Sequence, residues 1–597
     1  MKLEDIKSPE FLKDLSIEEL TELATDIRKF IIEHVSKTGG HFSSNLGSVE
    51  ITIALHYVFN SPHDKFIFDV GHQGYTHKIL TGRAKEFDRL RKKDGLGAFL
   101  KYNESSHDVW EAGHSSTSLS AAAGFLEAKA TGADIGEVIS IIGDGSIQNG
   151  LAFEGLNYLG NHIHKGIVII NDNEMSISRN VGRLARSLSK IRIKRSYEWV
   201  KKITPNFIQR LLRRLKNALR SLIYGGNVFA NLGYKYYGPI DGHNLKELIR
   251  YFQFAKRTKS SVILHVKTIK GKGYEFSEGD KNGNWHGVGP FDIQTGKPIS
   301  NVDENTINWG KGICEILVEE VAKNNKLYII TPAMIGGSSL QLLQTKFPDR
   351  LIDVGINEEH AVVMAASMSR NGLVPIVSIY STFLQRAYDQ INHDVARNNN
   401  HVIFLVDRAG INGGDGSTHQ GIFDIAFLSH LPNMVITTPK DLNEARNLLK
   451  FAINYDGPFI IRYPKRNISR IEFVEEDIKL GTWVEVLPIN DVNIITYGDE
   501  IQKYKDKLQN VGLINARFIK PIDLQMLRKL ANKRVVIVEE VVRSGSLASL
   551  ILDANIKEHL NIDITQYAID DIFLDTGTTD ELKQELGIDV DSVIKKL

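Results

Sequence analysis

Cysteine is almost missing. Cys314 is the one cysteine in 597 residues, which excludes an internal disulfide and any zinc site built from several thiolates. Such usage fits a reducing compartment, and a lone cysteine is ordinarily a small buried hydrophobe. Net charge is nearly missing too: Lys plus Arg number 73 against 72 Asp plus Glu, so no global field argues for a nucleic-acid partner. No run of about 20 apolar residues occurs, so no helical membrane span is expected. The start MKLEDIKSPEF mixes acidic and basic residues and lacks the apolar centre of a secretory signal. What is present is 42% hydrophobic and 24% charged residues, the balance of a soluble globular chain. A cytoplasmic protein is expected.

The length implies about three or four domains. After Leu15 the spacing of Ile31, Ile32 and Val35 predicts a helix. Then EVISIIGDG, GLAFEGLNYLGNHI and KGIVIINDN read as strand, helix and strand, a βαβ unit with parallel strands. The alternation runs to about residue 275 and breaks in SEGDKNGNWHGVGPFD, which reads as loop. A second series carries the strands KLYIIT, LIDVGI, LVPIVSIY, HVIFLVD, MVITT and PFIIRY; a third carries DVNIITYG, VGLINARF and RVVIVEE. The expected fold class is α/β, with three domains at 1–305, 306–480 and 481–597, each a mainly parallel sheet flanked by helices. From Arg186 to Arg220 there are twelve basic residues and one acidic, Glu198, with apolar residues at helical spacing. Such a helix can lie on an anionic surface; the plainer reading rests its apolar side on its own domain.

Two short motifs carry the strongest chemistry. GDGS at 143–146 and NDNEMS from 171 each end an apolar strand, and Asp144 and Asn173 are one helical crossover apart. Open α/β sheets bind ligands outside the carboxyl ends of their strands. A carboxylate and an amide oxygen arriving there are hard ligands suited to Mg2+, which fills the rest of its shell with phosphate oxygen and water. Gly143 and Gly145 allow backbone to approach a phosphate, and the helix start that follows is expected to offer free N–H groups. This pair resembles the thiamine-diphosphate motif of transketolase-like enzymes. The resemblance implies Mg2+ held by Asp144, Asn173 and the backbone carbonyl of Met175, with Gly145, Ser146 and Asn173 also meeting the cofactor.

Thiamine chemistry needs an acid hydrogen-bonded to the distal nitrogen of the aminopyrimidine, in a dry site. LIDVGINEEHAVVMAASMS offers Glu358 and Glu359 where a strand gives way to a helix. Acidic residues are also common in a first helical turn for dipole reasons, and position alone leaves both readings open. The segments HFSSNLGSVE, DVGHQGYTHKILTGR, GHSSTSLSAAAG, NDNEMSIS, STFLQRAYDQINHDVA, DRAGINGGDGSTHQG and IIRYPKR then occur in order. Together they resemble the 1-deoxy-D-xylulose-5-phosphate synthase family over nearly the whole chain. That resemblance assigns Glu358 to the aminopyrimidine, Phe383 to stacking on it, and His72, Gly113, His114, Ser115 and Tyr274 to further cofactor contacts.

Histidines 41, 72, 114 and 419 lie beside glycines in predicted loops, and carbonyl addition needs positioned proton donors. By resemblance the catalytic candidates are Glu358, His41, His72 and His419, and the substrate contacts are Tyr380, Arg386, Arg408, Asp415, His419 and Lys465. Arginine suits a phosphate dianion through its planar fork. One departure stands out: the family's Arg-Tyr-Pro-Arg-Gly is here Arg462-Tyr463-Pro464-Lys465-Arg466, so either Lys465 or Arg466 must serve the acceptor phosphate. The implied reaction joins pyruvate, less CO2, to D-glyceraldehyde 3-phosphate. Its product, 1-deoxy-D-xylulose 5-phosphate, opens the non-mevalonate isoprenoid route and feeds thiamine and pyridoxal. A homodimer is implied, with cofactor between the first two domains of one chain. The alternatives are a transketolase moving a ketol unit, a pyruvate-decarboxylating dehydrogenase component, and a degenerate paralogue acting as a binding or scaffold protein.

Overall fold

In the computed structural model, residues 2–173, 228–280, 283–299 and 303–597 are described. Met175 and the basic stretch 186–220 lie outside them. The chain divides into two compact units, one of Met1–Leu90 with Ala98–Ile299 and one of Arg91–Gly97 with Ser300–Leu597.

The first unit is built on a five-stranded sheet in the order Lys65–Phe68, Val138–Gly143, Ile167–Asp172, Val262–Lys267, Lys235–Asp241, parallel throughout. Strands such as VISIIG and IVIIND are apolar runs because both faces are covered. Leu119, Ala122 and Leu126 of one helix and Leu156 and Leu159 of the next pack on Ile142, Val168 and Ile170. The helix predicted after Leu15 is Ile17–Thr38, opened by a capping box between Ser16 and Glu19 that is worth roughly 1 kcal/mol. Its inward stripe is Ile27, Ile31 and Val35, all fully buried, while Ile32 is only half-buried.

The second unit contains a seven-stranded sheet and a five-stranded one. In the larger sheet Leu351–Asp353, Leu327–Thr331, Val374–Tyr380, Ile403–Asp407, Phe459–Tyr463 and Val435–Thr437 are parallel neighbours in that order. The strand Phe518–Lys520 pairs antiparallel with Val435–Thr437, so a segment from late in the chain closes the edge of this sheet. The smaller sheet runs Val484–Leu487, Gly512–Asn515, Val492–Thr496, Arg534–Val542, Asp563–Ile569. One continuous apolar core serves both sheets, reaching from Trp309 and Ile376 to Phe518, Val535 and Ile551.

Candidate active site

In the first unit, neighbouring strands present the two predicted ligands together. Gly143 is in register with Asn171, so Asp144 and Asn173 leave the carboxyl ends of adjacent strands. Asp144 is 3% exposed, and burial together with the carboxylate of Asp172 pushes its carboxyl well above the usual range. Two buried carboxylates facing each other are expensive without a cation between or beside them. Lys270 supplies part of that charge, and its own ammonium is pushed down to about 8 by burial. Asp172, Asn173, Thr268, Lys270 and Asp280 line a cavity of about 250 Å3. This oxygen-rich, cation-demanding donor set fits Mg2+ bridged to a diphosphate.

The helix start expected after GDGS is only partly free. Ser146–Gln148 form a short 3-10 turn, and the helix Gly150–Gly160 is capped from within by Asn149, whose side chain accepts from the Leu151 N–H at 3.0 Å. An asparagine one residue before the helix takes up one of the N–H groups that an anion would have used.

His41 and His72 are brought together, with ring centroids 5.8 Å apart. His286 stands 5.9 Å from the first and 5.3 Å from the second. Asn45 ties their loops: its amide donates to the His41 carbonyl at 2.8 Å and the His72 carbonyl at 2.7 Å. Burial and the charges of His41 and Lys270 push His72 down to about 3, so its imidazole is neutral, and its Nδ1 is shut from solvent without a hydrogen-bond partner. The Gly113–Ser115 loop lies beside GDGS, with the Ser116 hydroxyl donating to the Ser146 carbonyl at 2.9 Å. Tyr274 is buried among Phe42, Trp285 and Phe291, and its hydroxyl donates to the Ile293 carbonyl. Sequence reasoning passed over Asp172, Lys270 and His286. Asp172 is the middle residue of NDN, His286 lies in the stretch read as loop, and Lys270 lies near the end of the α/β alternation, outside any motif.

In the second unit, Glu358 opens the helix Glu358–Ser369 and is 2% exposed. Burial pushes its carboxyl up to about 7, against the lowering influence of Arg386. Arg386 Nη1 lies 3.6 Å from Glu358 Oε2, an oxygen that accepts no hydrogen bond from the described residues. A buried acid with a spare oxygen fits a partner such as the ring nitrogen of an aminopyrimidine. Phe383 stacks on Tyr380, with centroids 5.3 Å apart, and meets His419 edge-on at 5.5 Å. Glu359 has no comparable burial.

Tyr380, Arg408 and Lys465 lie at or just past the carboxyl ends of three adjacent strands. The Arg408 guanidinium lies 3.8 Å over the Tyr380 ring, and Arg408 is held at a φ of 60°. Lys465 is charged among cations: Arg408 first, then burial, push its ammonium down to about 8. Asp415 is joined to Arg91, Nη2 to Oδ1 at 2.6 Å. Arg386 lies beside Glu358. Arg466 turns away, into the carboxylates of Asp499, Glu500 and Glu540.

Parallel sheets with their polar residues gathered at strand ends, and a buried acid at a helix head, are the makings of a transketolase-like enzyme. Residues 305–470 match the transketolase pyrimidine binding domain and residues 481–593 the transketolase C-terminal domain. Residues 3–268 match the family model described as 1-deoxy-D-xylulose-5-phosphate synthase. The chain is 45% identical to the 1-deoxy-D-xylulose-5-phosphate synthase of Geobacillus sp. (strain WCH70), over 100% of this chain and 98% of that one. It is 45% identical to the synthase of the same name from Listeria welshimeri, over 98% and 96%, and 44% identical to that of Bacillus licheniformis, over 100% and 98%. The chain belongs to the 1-deoxy-D-xylulose-5-phosphate synthase family, and the ketol-transfer alternative is set aside.

Proposed function

We propose that this chain converts pyruvate and D-glyceraldehyde 3-phosphate into 1-deoxy-D-xylulose 5-phosphate and CO2, using thiamine diphosphate and Mg2+. The observation that carries the thiamine chemistry is Glu358, a buried acid pushed up to about 7 with an oxygen left to share. Donor, acceptor and product follow from the family. When bound, thiamine diphosphate supplies a nucleophilic carbon for a keto group and a sink for the electron pair that CO2 leaves behind.

The residues do the rest. Asp144 and Asn173, with the Met175 carbonyl, would hold the metal and through it the diphosphate; His72, Gly113–Ser115, Gly145, Ser146 and Tyr274 would surround it. Glu358 would keep a proton at the aminopyrimidine nitrogen and Phe383 would press on its ring. His41 and His419 would handle protons at the substrate carbonyls, while His72, neutral at physiological pH, would donate or accept without adding charge. Tyr380, Arg386, Arg408, Asp415 and Lys465 would bind the acceptor, with the cations at its phosphate. On this reading 1–305 is the diphosphate domain, 306–480 the aminopyrimidine domain and 481–597 the C-terminal support of a cytoplasmic homodimer. No described helix is long and apolar enough to cross a membrane.

The test is to incubate the protein with thiamine diphosphate, Mg2+, labelled pyruvate and D-glyceraldehyde 3-phosphate and to follow the label by NMR. Label in a 1-deoxyketose phosphate, dependent on cofactor and metal, is the expected result. Unchanged pyruvate with cofactor bound would overturn the donor assignment.

A further inference from the structure

Asp69 has no place in the chemistry above, yet it sits at the meeting point of the loops assigned to the cofactor. It follows the strand Lys65–Phe68 and is 2% exposed. Its Oδ1 accepts from the Ser116 N–H at 2.9 Å and its Oδ2 from the Ser118 N–H at 3.2 Å. The carboxylate therefore holds the loop that carries Gly113, His114 and Ser115, and that loop reaches the GDGS turn through the Ser116 hydroxyl on the Ser146 carbonyl. Its own backbone carbonyl accepts from the Gly71 N–H at 2.7 Å, at the start of the loop that carries His72.

The backbone around this carboxylate is strained. Val70 has a φ of 65° and Ser116 a φ of 73°, left-handed values that a β-branched residue and a serine rarely adopt. Such conformations persist only where surrounding bonds over-determine them. The bonds are present: the Gly113 N–H donates to the Val70 carbonyl at 2.8 Å, and the Ser116 hydroxyl donates to the Ser146 carbonyl at 2.9 Å. Three loops from three places in the sequence are thus knotted at one buried acid.

We infer that Asp69 is a positioning residue for diphosphate binding, acting through the 71–74, 113–118 and 143–146 loops without touching the cofactor. This rests on the proposed thiamine reading. A simpler role is also available to it, as an outside cap on the helix Ser118–Ala130, whose own N-cap Thr117 makes no side-chain capping bond. A cap alone would contribute stability and leave ligand affinity unchanged.

The experiment titrates thiamine diphosphate, at saturating Mg2+, into the full-length apoprotein by calorimetry, for wild type, Asp69→Asn, Ser116→Ala and Leu126→Ala. Asparagine keeps the shape but turns an N–H toward an N–H, so a buried donor loses its partner. A weakening of the Kd by about tenfold or more is expected for D69N, and about threefold for S116A. Leu126 is buried in the same helix, away from the loops; L126A should lose at least as much thermal stability and keep its Kd within about twofold of wild type, as an affinity effect independent of the core requires. At saturating cofactor, kcat of D69N should approach that of wild type. A wild-type-like Kd in D69N, or an equal loss in L126A, overturns the inference. If D69N does not fold, S116A decides, and an unchanged Kd there overturns it. Absence of cofactor binding by wild type would instead sink the thiamine reading itself.

Discussion

Lys465 and Arg466 are neighbours in the chain and end in opposite electrostatic surroundings. Lys465 has Arg408 and Arg91 as like charges, with Asp415 and Asp407 opposing them. Arg466 places Nη1 3.1 Å from Asp499 and 3.2 Å from Glu500, and Nη2 on Glu540. The departure from the family's Arg-Gly thus separates into two parts. Arg466 is committed to an ion cluster, so on the proposed reading Lys465 is the one of the two that serves the acceptor phosphate.

A lysine crowded by Arg408 and held down to about 8 is charged below that pH and neutral above it. The KM for D-glyceraldehyde 3-phosphate should therefore rise as pH passes through about 8. Lys465→Arg, always charged, should remove that rise and bind the acceptor about tenfold more tightly at alkaline pH. Steady-state KM measured across the range checks this; a flat wild-type profile would take Lys465 out of the phosphate site.

Arg466→Gly restores the family residue and strips a cation from three carboxylates. Lys583 stays on Glu500 and Glu540, so the loss should fall near the low end for a broken buried pair, about 3 kcal/mol by urea unfolding. Arg466 and Lys583 hold the Glu540 carboxyl down to about 2, from 4.5. A depressed acid contributes stability that is complete above its unfolded value and is lost as pH falls toward its folded one. The gap between wild type and variant should accordingly shrink as pH falls from about 4.5 toward 2. A gap that does not change with acid would mean that Arg466 acts by packing.

Much of this was legible because the signals are local. An apolar run ending in Gly-Asp-Gly fixes both a strand and the residue at its end, and NDN does the same one crossover later, so Asp144 and Asn173 could be paired from spacing. Glu358 was ambiguous as a first-turn acid, since burial, which separates a buried catalytic acid from a helix-dipole acid, is a tertiary property. His286 and Lys270 lie in irregular chain that carries no period, and only the fold brings them to His41 and Asp144. Asp69 was hidden for the same reason: its partners Ser116 and Ser118 are nearly fifty residues away in a loop whose turn chemistry gives no sign of a distant carboxylate. The predicted strand VGLINARF merged two elements, since Gly512–Asn515 and Phe518–Lys520 are separate strands that pair into different sheets, a division that no local pattern carries.

Asp144→Asn tests the metal half of the site. With excess cofactor and Mg2+ at about a hundred times Kd, wild type should gain about 2.7 kcal/mol of stability. The variant should gain almost none, because a neutral amide is a poor partner for a divalent cation. Its apoprotein should melt no lower than wild type, since the substitution removes the repulsion from Asp172. Thermal shifts with and without Mg2+ check both halves, and a normal metal-dependent shift in D144N would remove Asp144 from the ligand set.

Glu358→Gln keeps the shape of the buried side chain and takes away its exchangeable proton. A general acid in this position is worth about 10²–10⁴ in rate, so kcat should fall by that factor while circular dichroism stays unchanged. The variant also has a stability signature. Burial raises the Glu358 carboxyl from 4.5 to about 7, so between those values the folded chain binds a proton that the unfolded chain has released. Wild-type stability then falls as pH rises across that window, and E358Q, with nothing to titrate there, should fall less. Urea unfolding at pH 5 and pH 7.5 measures the difference. Near-normal turnover would end the catalytic assignment, whereas lost turnover with the same pH dependence as wild type would leave the catalytic role standing and refute the buried-proton account of how it is achieved.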